Sequence, residues 1–178
     1  MKKVSLEDKN FKLFIESAKI QKAIDAVSIK LNNNYAQKSP IFVCILNGSF
    51  MFASDLIRTF TDNCEVTFLK VSSYDGTKST GSVKELIGLN ESITGRDVII
   101  VEDIVDTGAT LEVVIKDLNL LNPKSIKVAT LLYKPLAYKG SFPIDYAAIE
   151  VGNEFLVGYG LDYNGLGRNL EDIYIIEE

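Results

Sequence analysis

The sequence predicts an α/β fold built on a mostly parallel central sheet with helices on both faces, and three observations carry that expectation. Apolar runs rich in β-branched residues recur at "IFVCIL" (41–46), "VTFLKVS" (66–72), "VIIVED" (98–103), "SIKVATLLY" (125–133) and "YAAIEV" (146–151). Stretches with apolar residues at helical spacing separate several of them. The runs are apolar at nearly every position rather than at alternate ones, which suits strands buried on both faces.

After a short apolar stretch from Phe11 to Ile15, residues 17 to about 33 place Ile20, Ala23, Ile24, Val27 and Leu31 at helical spacing, with Ser17 as the expected N-cap. "IFVCIL" is then a buried strand, "NGS" a turn and "FMFASDLIRTF" a second helix, completing a strand–loop–helix unit by residue 60. "VTFLKVS" restarts the strand pattern. The polar segment "SYDGTKSTGS" carries two glycines and no apolar period, the composition and length of an active-site lid. "VIIVED" is a strand, "IVDTGAT" its exit loop, and "TLEVVIKDLNLL" a helix stopped by "NP". "SIKVATLLY" and "YAAIEV" close the series. No repeat, low-complexity tract or composition break marks a linker, so a single domain over residues 1–178 is expected.

Composition narrows the chemistry. The chain has no histidine, which removes the usual zinc sites, serine–histidine triads and imidazole bases. A general base must come from a carboxylate, lysine, tyrosine or cysteine. Cys44 lies inside an apolar run, where a thiol behaves as a small core hydrophobe. The formal net charge is -5, which argues against a broad basic surface and hence against nucleic acid as a partner. No apolar run approaches membrane-spanning length, and acidic residues interrupt the lysine-led N-terminus before an apolar signal segment can form, so no membrane partner and a cytoplasmic location are expected.

In parallel sheets the ligand site lies beyond the C-terminal ends of the strands. The stretch "VIIVEDIVDTGATL" delivers Glu102, Asp103 and Asp106 to such an end, and three carboxylates so close repel one another unless cations or hydroxyls sit among them. Asp106, Thr107, Gly108, Ala109 and Thr110 form a strand-to-helix loop whose amides and hydroxyls can cradle a phosphate. Glu102 and Asp103 accept but do not donate hydrogen bonds at neutral pH, so sugar hydroxyls or Mg²⁺ are their natural partners. No G-x-x-x-x-G-K-[ST] occurs, which removes a triphosphate P-loop. Asp103 and Asp106 are three apart, not the two of a phosphate-transferring aspartate pair, and "GYGLDYNG" is not G-x-G-x-x-G.

"VIIVEDIVDTGATL" resembles the phosphoribosyl-pyrophosphate-binding motif of type I phosphoribosyltransferases. With "ILNGSFMFASDL", "VSSYDG", "LLYKP" and "EFLVGYGLDYNGLGRNL" it is most similar to the 6-oxopurine, hypoxanthine–guanine branch of that family, over most of the chain. The resemblance implies the type I phosphoribosyltransferase fold, with a small hood formed by N- and C-terminal segments. It implies transfer of ribose 5-phosphate from phosphoribosyl pyrophosphate to N9 of hypoxanthine or guanine, giving IMP or GMP plus pyrophosphate, with Mg²⁺ as cofactor. Glu102 and Asp103 would face the ribose hydroxyls directly or through magnesium, and residues 106–110 would hold the 5′-phosphate.

Asp106 would accept the proton at purine N7 and Lys134 would donate to the 6-oxo group. Phe155 would stack on the base, the backbone of Leu156 would read its ring nitrogens, and Asp162, also on the purine side, would hold a second magnesium bridging to pyrophosphate. Leu46, Asn47, Gly48 and Arg168 would bind pyrophosphate, while Ser73 and Tyr74 would close as a lid. Two departures stand out: Asn47 where many relatives carry lysine or arginine, and Ala109 where some carry lysine. The resemblance also implies a homodimer or homotetramer. Alternatives are a transferase for xanthine, adenine or a pyrimidine, or a non-catalytic sensor of phosphoribosyl pyrophosphate.

Overall fold

A computed structural model describes residues 2–72, 84–89 and 91–177. The chain opens with β1 (Lys3–Leu6) and β2 (Lys9–Ile15), then α1 (Ser17–Tyr35), β3 (Ile41–Leu46) and α2 (Phe50–Arg58). Next come β4 (Glu65–Ser72), β5 (Lys84–Ile87), β6 (Asp97–Val105), α3 (Ala109–Asn119) and β7 (Ser125–Tyr133). β8 (Tyr146–Glu150), β9 (Leu156–Val157) and β10 (Ile173–Ile176) complete it.

Six strands form the central sheet in the order β5-β4-β3-β6-β7-β8, and every neighbouring pair is parallel except β4 with β5. The order reverses between β3 and β6, so a crevice opens at their C-terminal ends. A second, antiparallel sheet, β1-β2-β10-β9, joins the two ends of the chain into the expected hood.

The uniform apolarity of the strands has a direct cause. Along β3, Phe42 and Cys44 face the core under α1 and α2, while Ile41, Val43 and Ile45 face the one under α3. β6 divides in the same way, with Ile99 and Val101 on one side and Val98 and Ile100 on the other. Each such side chain contributes about 1.5–3 kcal/mol by leaving water, so a polar residue anywhere in these runs would be costly.

Several boundaries differ from the sequence expectation, and three have a clear physical cause. β6 continues two residues past Asp103, because Ile104 and Val105 still pair with Leu132 and Tyr133. α1 runs to Tyr35, whose buried ring closes the core. Ser17 is the first residue of α1 rather than its N-cap, and its amide donates to the Asp172 carboxylate at 2.8 Å. The cap thus comes from a residue far along the chain, beyond the reach of local pattern. Among the described residues, no helix is long and apolar enough to cross a membrane.

Candidate active site

The crevice is lined first by the end of β6. Glu102 Oε2 is sealed from solvent and has no hydrogen-bond partner among the described residues. Burial, and after it the neighbouring Asp103 carboxylate, pushes the Glu102 carboxyl well above the usual range. Burial also raises Asp103, against the pull of the Ile104 amide, 2.8 Å from Oδ1, and of the Arg168 charge. A buried acceptor without a donor is costly, so the pair fits hydroxyl donors or a divalent cation as partners. Across the crevice Gly48 follows β3, and a Cβ there would lie 1.4 Å from Asp103 Oδ2. A side chain at position 48 would displace the Asp103 carboxylate from this place.

Beyond β6 the chain turns through exposed Asp106 and Thr107 to Gly108, whose φ of 85° starts α3 at Ala109. Residues 106–110 line a recess together with Glu102, Ile104 and Val105. The first-turn amides of α3 point their positive end there. A second loop supports this one. The Lys139 amide donates to Thr107 O at 3.0 Å, and the Tyr138 ring lies so close under Gly108 that a Cβ would come within 2.4 Å of it. The Tyr138 hydroxyl in turn donates to Phe142 O.

Lys134 leaves the end of β7 with its amide bonded to Val105 O at 2.9 Å. The residue is nearly buried, at 7% exposure, and its ammonium pairs with the half-exposed Asp106 carboxylate at 2.7 Å. A cationic donor and an anionic acceptor therefore stand side by side at the mouth of the phosphate-type loop.

The hood completes the enclosure. Gly160, at φ 98°, approaches Gly48 so closely that a Cβ would lie 2.1 Å from Gly48 O. Arg168 donates from Nη1 to Gly160 O at 2.7 Å and pairs through Nη2 with Asp162 at 2.6 Å. Asp162 also accepts the Gly165 amide. Phe155 is 46% exposed, its ring centroid 6.4 Å from that of Phe11 and 5.9 Å from that of Tyr163, whereas Leu156 is buried and pairs with Ile175.

The phosphoribosyl transferase domain family matches residues 15–164, from the end of β2 into the hood loop. The chain belongs to the phosphoribosyltransferase family. It is 39% identical over 160 residues to the hypoxanthine-guanine-xanthine phosphoribosyltransferase of Tritrichomonas foetus, covering 89% of this chain and 87% of that one. It is 36% identical over 175 residues to the hypoxanthine-guanine phosphoribosyltransferase of Aquifex aeolicus, covering 97% and 98%. The crystal structure of a hypoxanthine phosphoribosyltransferase from Staphylococcus aureus superposes with a TM-score of 0.89 at 38% identity, covering 93% of this chain and 91% of that one.

On this phosphoribosyltransferase frame the expected residues fall into three groups. Glu102, Asp103 and residues 106–110 share one wall with Lys134, while Leu46, Asn47 and Gly48 face them from the end of β3. Phe155, Leu156, Asp162 and Arg168 belong to the hood side. Among the described residues no three His, Cys, Asp or Glu side chains gather into a metal-holding group, so Asp162 stands apart from the Glu102 and Asp103 pair. Ser73 and Tyr74 lie outside the described residues. Sequence reasoning passed over Tyr138 and Gly160, because their parts depend on contacts with Gly108 and Gly48 that no local motif announces.

Proposed function

We propose that the protein is a hypoxanthine–guanine phosphoribosyltransferase of purine salvage. It transfers ribose 5-phosphate from phosphoribosyl pyrophosphate to N9 of hypoxanthine or guanine, giving IMP or GMP and pyrophosphate. The observation that carries this is the Lys134–Asp106 pair at 2.7 Å. A 6-oxopurine whose N7 bears a proton presents a donor beside the O6 acceptor, which the Asp106 acceptor and Lys134 donor complement. Adenine offers an amino donor at position 6 instead, which would face the ammonium. The names of the relatives support the same substrates.

In this mechanism the amides and hydroxyls of residues 106–110 hold the 5′-phosphate, while Glu102 and Asp103 orient the ribose hydroxyls. The bond from C1′ to pyrophosphate breaks as N9 of the base bonds to C1′. Asp106 takes the N7 proton, and Lys134 stabilises the charge that develops at O6. Phe155 stacks on the base and Leu156 reads its edge through the backbone. Leu46, Asn47, Gly48 and Arg168 receive pyrophosphate, and Ser73 with Tyr74 excludes water as a lid. Magnesium fits the acceptor-only Glu102 and Asp103, with Asp162 as a second holding point, and when bound it takes up charge on the departing oxygens.

Incubation with phosphoribosyl pyrophosphate, magnesium and each nucleobase in turn tests the proposal. IMP and GMP with release of pyrophosphate are expected, and adenine should yield no product. Product with adenine or a pyrimidine alone would transfer the assignment to another base, and no product with any base would favour a sensor. The same proposal places the enzyme in the cytoplasm as a homodimer or homotetramer. Val66 and Phe68, exposed on one face of β4, support association, and sedimentation as a monomer at micromolar concentration would refute it.

A further inference from the structure

Tyr159 has no part in the chemistry above, yet it is built into the site's frame. Its side chain is buried, at 5% exposure, although its backbone has φ 49°, a left-handed conformation unusual for an aromatic residue. Such a backbone persists only where its surroundings over-determine it. Two contacts do so here. The Tyr159 amide donates to Leu170 O at 2.8 Å, and the Tyr159 hydroxyl donates to the Asp55 carboxylate on α2.

Those contacts fix two loops relative to each other. α2 begins directly after the Leu46–Gly48 turn, so Asp55 and Gly48 belong to one rigid piece. Gly160 follows Tyr159, touches Gly48 O and takes the Arg168 guanidinium on its own carbonyl, while its amide donates to Arg168 O at 3.0 Å. The hood loop thus packs Tyr159 and Leu161 into the apolar core that α1 and α2 cover, sets Gly160 against Gly48, and makes a polar contact with α2 through Tyr159 on Asp55. Without the Tyr159–Asp55 hydrogen bond, what remains between these pieces is non-directional apolar packing and the Gly160–Gly48 approach. Asp55 has a further cation, Arg58 at 3.7 Å, whose side chain is exposed.

We propose that Tyr159 and Asp55 are positioning residues that hold Arg168 in register with the Leu46–Gly48 turn, and thereby set affinity for the pyrophosphate end of phosphoribosyl pyrophosphate. The inference rests on the assignment of those groups to pyrophosphate. Asn47 supplies no cation to that turn, so the placement of Arg168 carries correspondingly more of the binding.

Binding of phosphoribosyl pyrophosphate with magnesium, followed by calorimetry, tests the pair through Tyr159→Phe, Asp55→Ala, Asp55→Asn and the double variant Tyr159→Phe with Asp55→Ala. Tyr159→Phe keeps the buried ring and removes only the hydroxyl. An affinity about tenfold weaker is expected for Tyr159→Phe and for Asp55→Ala, with the KM for hypoxanthine unchanged. The double variant should be no weaker than either single one, the mark of a shared interaction. Asp55→Asn, which still accepts from the phenol, should recover most of the affinity. Additive losses, equal losses for both substrates, or unchanged affinity in Tyr159→Phe would each overturn the inference. If Asp55→Ala misfolds by circular dichroism, the Tyr159→Phe and Asp55→Asn results decide alone. Failure of the unmodified protein to bind phosphoribosyl pyrophosphate would instead overturn the functional assignment beneath it.

Discussion

Lys134 and Asp106 hold each other at 2.7 Å, one nearly buried and the other half exposed, so on the proposed assignment an arriving base replaces an existing contact. Substitution of Asp106 separates proton transfer from phosphate binding. Asp106→Asn keeps an acceptor for Lys134 but removes the base, so turnover should fall about a hundredfold or more while calorimetry records unchanged affinity for phosphoribosyl pyrophosphate. Glu102 gives a second prediction, in stability. Its carboxyl is raised above the unfolded value, so the folded state holds the proton more firmly, and ionisation opposes folding increasingly as pH rises from the unfolded value toward the folded one. Glu102→Gln removes that opposition. In magnesium-free buffer its Tm should match the parent near pH 4 and exceed it by a few degrees at pH 8, while turnover falls, and a lower Tm at pH 8 would contradict the account. These residues were legible in the sequence because acids clustered at a strand end demand an explanation. Tyr159 and Tyr138 were not, since a tyrosine becomes informative only when its hydroxyl partner is known.

At the scale of elements, the loop from β6 to α3 is shaped by Gly108. Its φ of 85° and the Tyr138 ring beneath it leave no room for a Cβ, so Gly108→Ala combines backbone strain with a clash at 2.4 Å. A loss of about 1–3 kcal/mol in urea unfolding is expected, together with weaker binding of phosphoribosyl pyrophosphate. Adding Tyr138→Ala should relieve the clash without relieving the strain, so a partial recovery separates the two causes, and none would show that the ring is not the obstacle. The elements themselves were unequally readable. β3, β6 and β7 were plain in the sequence because both faces of the central sheet are covered, leaving no polar alternation to confuse them. The hood strands were not, because β9 has two residues, and β10 pairs with β2 across almost the whole length of the chain. Their apolar residues are consecutive over two and four positions, too short a run for a period to emerge. The end of β6 was also misplaced, for the two residues after Asp103 are held in the strand by β7 rather than by any property of their own.

Taken as a whole, the molecule is a central sheet with a hood fastened over the C-terminal ends of its strands, and Asp172 is one of the main fasteners. Nearly buried, it accepts the Ser17 amide at 2.8 Å at the start of α1, Lys2 Nζ at 2.7 Å and the Tyr174 hydroxyl at 3.3 Å. One carboxylate thereby ties both chain ends of the hood to the first helix of the main body. The Lys2 hydrogen bond, outweighing burial, holds its carboxyl below the usual range, with the Ser17 amide acting in the same direction. Asp97, at the other end of the central sheet, also lies below its usual range, where Ser125 and Lys124 overcome burial. A depressed folded value contributes stability that is fully present above the unfolded value and is lost as pH falls through the folded one. Acid should therefore loosen the hood and the base of β6 together. Asp172→Asn isolates the first. At pH 7 it should cost on the order of 1–3 kcal/mol, mostly through the Ser17 amide and Tyr174, because the half-exposed Lys2 is screened by water. As pH falls from the unfolded value of about 4 through the lower folded one, the parent carboxyl protonates and the two proteins become alike in charge at this site. Their Tm values in scanning calorimetry should converge from pH 7 to pH 2, whereas a constant gap would assign the loss to packing, leaving the charge of Asp172 without a role in fastening the hood.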